Sequence, residues 1–175
     1  DTPNPGLRHT LEHVQLVGID QFKRMKALGL TVNIFTNHLH YFGDLHLSLT
    51  VGPDRARRMN AARDAWDVWS GDFAIHSDAP VTPMGPLKTA WIAVNRLTET
   101  GQSIGTSQQI TVPQALHNIT MGAAYVLKLD HKVGSIQCGK SADFSVLDGD
   151  PLEADPMELK DIPIVTTVLG GEVMA

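Results

Sequence analysis

The 175 residues carry 14 Lys plus Arg against 19 Asp plus Glu, a formal charge of -5, with 42% hydrophobic and 19% charged residues. Such a balance packs a core and excludes a disordered or collagen-like chain; with no block of basic residues to track phosphates, the expected partner is a small molecule, not nucleic acid. The single Cys138 excludes an internal disulfide and any multi-cysteine zinc site. No apolar run approaches the ~20 residues of a bilayer span. The opening DTPNPGLRH shows no apolar signal segment at this end, and the lone Cys138 fits a reducing compartment; the expectation is a cytoplasmic protein without membrane contact.

In chain order, loop is expected through Gly6, followed by LRHTLEHVQLV, where Leu7, Leu11, Val14, Leu16 and Val17 fit either a buried strand or a turn of helix. Asp20 then stands at an N-cap position, Phe22, Met25 and Leu28 share one helical face, and Gly29 supplies the left-handed C′ position. Leu30 to Phe35 follows as a β-rich run, so helix feeds directly into strand, as in a repeating α/β unit. A His-rich loop is expected from Asn37 to Leu47, then a polar helix from Pro53 carrying Arg55, Arg57, Arg58, Met59 and Trp66, ending at Gly71.

Phe73 to Ile75 reads as another strand, stopping at the polar cluster before Pro80. Pro86 opens a helix with Leu87, Ala90, Trp91, Val94 and Leu97 on one face and Gly101 at its close. Thr111 and Gln114 have the spacing of a capping box for a helix from Val112 to about Leu129. From His131 onward short β-rich pieces alternate with Gly and Pro, the texture of a small antiparallel unit. Its run from Ile164 to Leu169 is apolar on both parities and calls for cover on both faces.

Three of these segments run an expected strand into a residue able to bind a metal or move a proton: Glu12-His13, His38 and Asp78. Ligands of α/β proteins bind at the carboxyl ends of strands, where loops converge on one rim. The separations, 25 residues from His13 to His38 and 40 from His38 to Asp78, suit one and up to two βα units. Two imidazoles and a carboxylate suit a divalent ion, zinc foremost, which makes water a nucleophile at neutral pH. The ordinary alternatives are a hydrogen-bonded structural His at 13, a solvated loop around His38, His40 and His46, and a turn or cap role for Asp78.

Read together, LRHTLEHVQ, FTNHLHYFGDLH, IHSDAPVTPMGPLKTAWIAVNR, ITVPQALHNITMGAAYVL, VGSIQCGKSADFSVLDGDP and TTVLGGEVM resemble the carboxyl-terminal part of a metal-dependent amidohydrolase. The resemblance is to the family-3 group, which includes N-substituted formamide deformylase and exoenzyme regulatory proteins. It implies an α/β fold: the carboxyl-terminal part of a (β/α)8 barrel over residues 1–130, equivalent to strands 5 to 8, then a few strands of a small β-sandwich domain over 131–175. It implies metal ligands at His13 on the fifth strand and His38 on the sixth, with the catalytic Asp78 on the eighth also facing the metal. Hydrolysis of a carbon–nitrogen bond in a small amide-like substrate would follow, Asp78 taking the proton of the attacking water and passing it to the leaving nitrogen. Glu12, His40, His46 and His76 are the expected substrate-facing or supporting residues.

The same resemblance implies an HxH pair on the first strand and a bridging Glu or carboxylated Lys on the fourth, and these 175 residues contain neither region. The only HxH, His38-Leu39-His40, falls at the expected sixth strand. A fragment with an incomplete site and an open barrel edge prone to self-association is therefore expected. Two other readings fit the residue types: an inactive remnant serving as an interaction or regulatory module, and a non-haem iron oxygenase built on two His and a carboxylate.

Overall fold

The computed structural model describes residues 3–174. Strand β1 (His9–His13) is followed by helix α1 (Ile19–Ala27) and strand β2 (Leu30–Ile34). The N-cap of α1 is Gly18, whose N–H donates to the Gln21 side chain at 2.9 Å, while the expected cap Asp20 lies in the first turn. Gly29, at φ +76°, ends the helix in the left-handed conformation read from its sequence. Helix α1 packs on the sheet through Phe22, which is fully buried edge-on to Trp69 at a centroid distance of 5.3 Å.

The segment read as a His-rich loop is instead helix α2 (Asn37–Leu45), continued by one wider π-type turn over His46–Thr50. The polar helix expected from Pro53 is two pieces, α3 (Pro53–Ala56) and α4 (Ala62–Trp69), broken where Asn60 takes φ +49°. At that break the Met59 and Asn60 carbonyls turn inward to accept from the fully buried Arg96 guanidinium at 2.7 and 2.9 Å. A third Arg96 bond, to Ile104 O at 2.8 Å, joins the following loop to the same point.

Strand β3 (Ala74–Ile75) completes a three-stranded parallel sheet in the order β1-β2-β3. Its register aligns the three carboxyl ends: His13 lies opposite Ile34, and Ile34 opposite Ile75. This corrects the strand count. β2 and β3 are direct neighbours, so the 40 residues from His38 to Asp78 form a single crossover, and His38 and Asp78 do not follow strands with a seventh between them. The middle strand is covered on both faces, with Val32 and Ile34 buried on one and Thr31 on the other. Of the two readings of the β1 segment, buried strand or helical turn, it is a strand, but a mostly exposed one, Leu11 included, at the edge of the sheet.

Helix α5 (Pro86–Asn95) ends at Arg96 in the left-handed region, not at Gly101. The Thr111–Gln114 capping box opens α6 (Val112–Ile119): the Gln114 N–H donates to Thr111 Oγ1, and the Thr111 N–H to Gln114 Oε1. The long helix expected there stops at Thr120 and resumes as α7 (Met121–Val126). Just past the break, Gly122 lets α7 press on the sheet, since a Cβ there would stand 2.0 Å from the Phe73 carbonyl oxygen. Strands β4 (Phe144–Leu147), β5 (Ile164–Leu169) and β6 (Glu172–Met174) form the antiparallel unit. The cover expected on both faces of β5 is only partial: Val168 is buried, while Ile164, Val165 and Leu169 are exposed.

Candidate functional site

The sheet register brings the ends of β1, β2 and β3 to one level, and the polar residues that follow them meet there. His13 is the last residue of β1, and its Nε2 stands 3.6 Å from Asp78 Oδ1, with the two side chains 48% and 32% exposed. Both residues take positive φ, +68° and +55°. At His13 the Val14 N–H donates to the Glu12 carbonyl at 2.8 Å, closing a three-residue turn whose positive-φ form is rare and strained. At Asp78 the turn is closed by its carbonyl, which accepts from the Val81 N–H at 2.7 Å, so the carboxylate stays turned toward His13.

His76 stacks on His13 at a centroid distance of 5.3 Å, and its Nε2 lies 3.9 Å from Glu12 Oε2, beyond a hydrogen bond. That nitrogen is a buried polar atom without a partner, and burial pushes the ring's pKa down. Glu12 itself accepts from the Asn33 side chain at 2.8 Å. The sequence reading missed Phe35, whose buried ring touches three imidazoles: His13 at 5.5 Å, His38 at 5.1 Å and His76 at 5.2 Å. Nothing in its local pattern marked it, because a Phe closing an apolar strand reads as core.

His38, in the first turn of α2, lies across Phe35 from His13. Its pKa is pushed down to about 4 by burial first, then by the nearby His46 and His13, with Asp78 partly opposing. His38 Nδ1 faces His46 Nε2 at 3.2 Å, and His46 Nδ1 faces Thr50 Oγ1 at 2.5 Å. His40 points the other way: it is buried, bonded through Nδ1 to the Leu97 carbonyl at 2.7 Å and set edge-on to Trp91. It therefore fastens α2 to the chain after α5. Asp44, from the YFGD segment, also holds structure, accepting from Thr98 at 2.8 Å, Thr100 at 2.7 Å and Gln102 at 3.0 Å.

His13 and Asp78 fit a shared divalent ion. Two donor atoms about 2.0–2.2 Å from a tetrahedral zinc lie roughly 3.4 Å apart, close to the observed 3.6 Å. His38 does not join them: among the described residues no three His, Cys, Asp or Glu side chains stand close enough together to hold a metal ion. A separate pocket of about 170 Å3 opens beside His76 and Ser77, walled by Ile75, Met84, Thr89 and Ile119. Among the described residues no helix is long and apolar enough to cross a membrane.

The model of the amidohydrolase family matches residues 1–175. N-substituted formamide deformylase of Arthrobacter pascens is 31% identical over 161 residues, covering 92% of this chain and 30% of that protein. The protein YtcJ of Bacillus subtilis is 36% identical over 101 residues, covering 56% of this chain and 19% of its own. The crystal structure of an uncharacterized metal-dependent hydrolase from Pyrococcus horikoshii superposes with a TM-score of 0.73 at 27% identity, covering 85% of this chain and 30% of that one. The chain thus spans less than a third of the length of each of these proteins.

Proposed function

The chain belongs to the amidohydrolase family, and we propose that it is the carboxyl-terminal part of a metal-dependent hydrolase cleaving carbon–nitrogen bonds other than peptide bonds. The observation that carries this is the 3.6 Å approach of His13 Nε2 to Asp78 Oδ1 at the aligned ends of parallel strands. Residues 1–130 then belong to a (β/α)8 barrel and 131–175 to a small β-sandwich domain. With Asp78 after the eighth strand, the direct pairing of the three strands makes β2 the seventh and β1 the sixth, so His13 is the sixth-strand ligand.

In this reading His13 and Asp78 hold a divalent ion, zinc foremost, with further ligands from the part of the protein outside these residues. Such an ion supplies polarisation of a carbonyl and activation of water. Asp78 accepts the proton of the attacking water on its carboxylate and returns it to the leaving nitrogen as the carbon–nitrogen bond breaks. His76, held between His13 and Phe35, keeps the His13 ring in place, and Glu12 stands behind His76. The substrate is a small amide-like molecule, with N-substituted formamides the first class to assay, and the exposed face of β1 is where other barrel strands, or a second copy, would pack.

The test is metal analysis and amide-hydrolysis assay on this chain beside the full-length protein. Metal and turnover are expected in the full-length protein, with little of either in the 175 residues alone. Full-length protein that binds metal without hydrolysing any amide would favour an inactive remnant, and dioxygen consumption with bound iron would favour an oxygenase.

A further inference from the structure

Outside the His13–Asp78 pair, three polar side chains are joined end to end. Thr50 Oγ1 meets His46 Nδ1 at 2.5 Å, and His46 Nε2 meets His38 Nδ1 at 3.2 Å. The wider turn over His46–Thr50 sets the first contact, and π-type turns inside helices recur at functional sites. The His38 ring is clamped between Phe35 at 5.1 Å and Phe42 at 4.7 Å, so its orientation is set on both sides. We infer that this relay holds His38 with its ring hydrogen on Nε2, as a hydrogen-bond donor to the carbonyl oxygen of the substrate, and that His46 is the residue that positions it.

The polarity follows from counting hydrogens. A neutral imidazole has one donor and one acceptor nitrogen. The partner the structure gives the Thr50 hydroxyl is His46 Nδ1; if the hydroxyl donates there, the His46 hydrogen sits on Nε2 and is given to His38 Nδ1. The remaining hydrogen of His38 is then on Nε2, the nitrogen that His46 does not hold. Burial keeps His38 neutral at physiological pH, so it carries one ring hydrogen. The reverse polarity would leave the Thr50 hydroxyl hydrogen without a partner among the described residues and put a lone pair on His38 Nε2. A donor fixed near His13 and Asp78 is instead the arrangement that stabilises charge developing on a carbonyl oxygen.

This deepens the hydrolase reading and rests on it, so the experiment separates the two. In full-length protein labelled with 15N-histidine, long-range 1H–15N spectra are expected to show His38 protonated at Nε2, assigned by its loss in His38→Gln. His38→Leu is expected to retain its metal while losing roughly 10²–10³-fold in kcat. His46→Leu should lose roughly 10- to 100-fold at unchanged metal content, with the His38 tautomer no longer fixed, and His46→Gln, which keeps an N–H donor, should restore most of that loss. His38 protonated at Nδ1, or metal lost from His38→Leu, overturns the inference and leaves the hydrolase reading standing. Should His38→Leu fail to fold, His38→Gln carries the same metal test. Unsubstituted full-length protein with neither metal nor turnover overturns both.

Discussion

Asp78→Asn tests the proposed chemistry with the least disturbance to the fold, and the backbone says why. Asp78 sits at φ +55°, a region that Asn tolerates and most residues avoid. Asn keeps Oδ1 near its 3.6 Å from His13 Nε2 but can no longer take a proton. Loss of a positioned acid–base group costs about 10²–10⁴ in turnover, or ~3–5 kcal/mol of barrier. In the full-length protein, hydrolysis of an N-substituted formamide should fall by that factor, while metal content and thermal midpoint stay near those of the parent. Asp78→Ala also removes the metal-facing oxygen, so it should lose metal and at least as much turnover, and with both variants melted in chelator it should melt below Asp78→Asn, because Ala at positive φ costs ~1 kcal/mol. A metal-loaded Asn variant with unchanged turnover would remove Asp78 from the mechanism. Equal midpoints for the two variants would refute the backbone part of the reasoning.

The remaining predictions concern this chain itself. Burial depresses the pKa values of His38, His40, His46 and His76, so the unfolded chain takes up protons that the folded chain refuses. Stability should thus be complete above about pH 6.5 and fall as pH drops toward 4, by ~1–2 kcal/mol for His38 once its partial exposure is discounted. Urea midpoints in the presence of chelator measure this, and a flat profile across that window would refute it. Arg96→Met removes three donors from the carbonyls of Met59, Asn60 and Ile104 and should cost about 3–6 kcal/mol; a loss under ~1 kcal/mol would show that these carbonyls find other partners. Gly122→Ala places a methyl against the Phe73 carbonyl, a rigid neighbour, and should cost about 1–3 kcal/mol by thermal denaturation; a neutral result would mean that α7 shifts freely on the sheet.

What the sequence disclosed depended on whether local rules governed the segment. The α1–β2 alternation and the Thr111–Gln114 cap were legible because one buried face, a left-handed Gly29 and a reciprocal side-chain bond are all local features. The helix over Asn37–Leu45 was hidden because its inward positions include polar residues. Asn37 donates to Thr82 at 3.1 Å and His40 to Leu97, distant partners that no periodicity count includes. The breaks at Asn60 and Thr120 were hidden likewise: Arg96 holds the carbonyls at one from afar, and beside the other α7 closes on the Phe73 carbonyl through Gly122. Spacing could not count strands either, since 40 residues accommodate one long crossover or two short units. The fifth- and sixth-strand places given to His13 and His38 came from the resemblance, which spacing could not check.

The meeting of His13 and Asp78 has its origin in register more than in either residue's own preference. Level strand ends put the next side chain of β1 and the turn after β3 on one rim, but a His continuing as regular strand would direct its ring by simple alternation. The positive φ at His13 breaks that alternation. Left-handed backbone at a residue other than Gly costs roughly 1–2 kcal/mol. The surrounding bonds are what hold it: the Phe35 N–H donates to the His13 carbonyl at 3.3 Å, and the Asn60 N–H to the Gln15 carbonyl at 2.9 Å. Asn60 is the residue whose own carbonyl Arg96 holds from the core. The buried guanidinium thus reaches the rim through a single residue, so loosening Arg96 should disturb the placing of His13 against Asp78 before it unfolds the sheet.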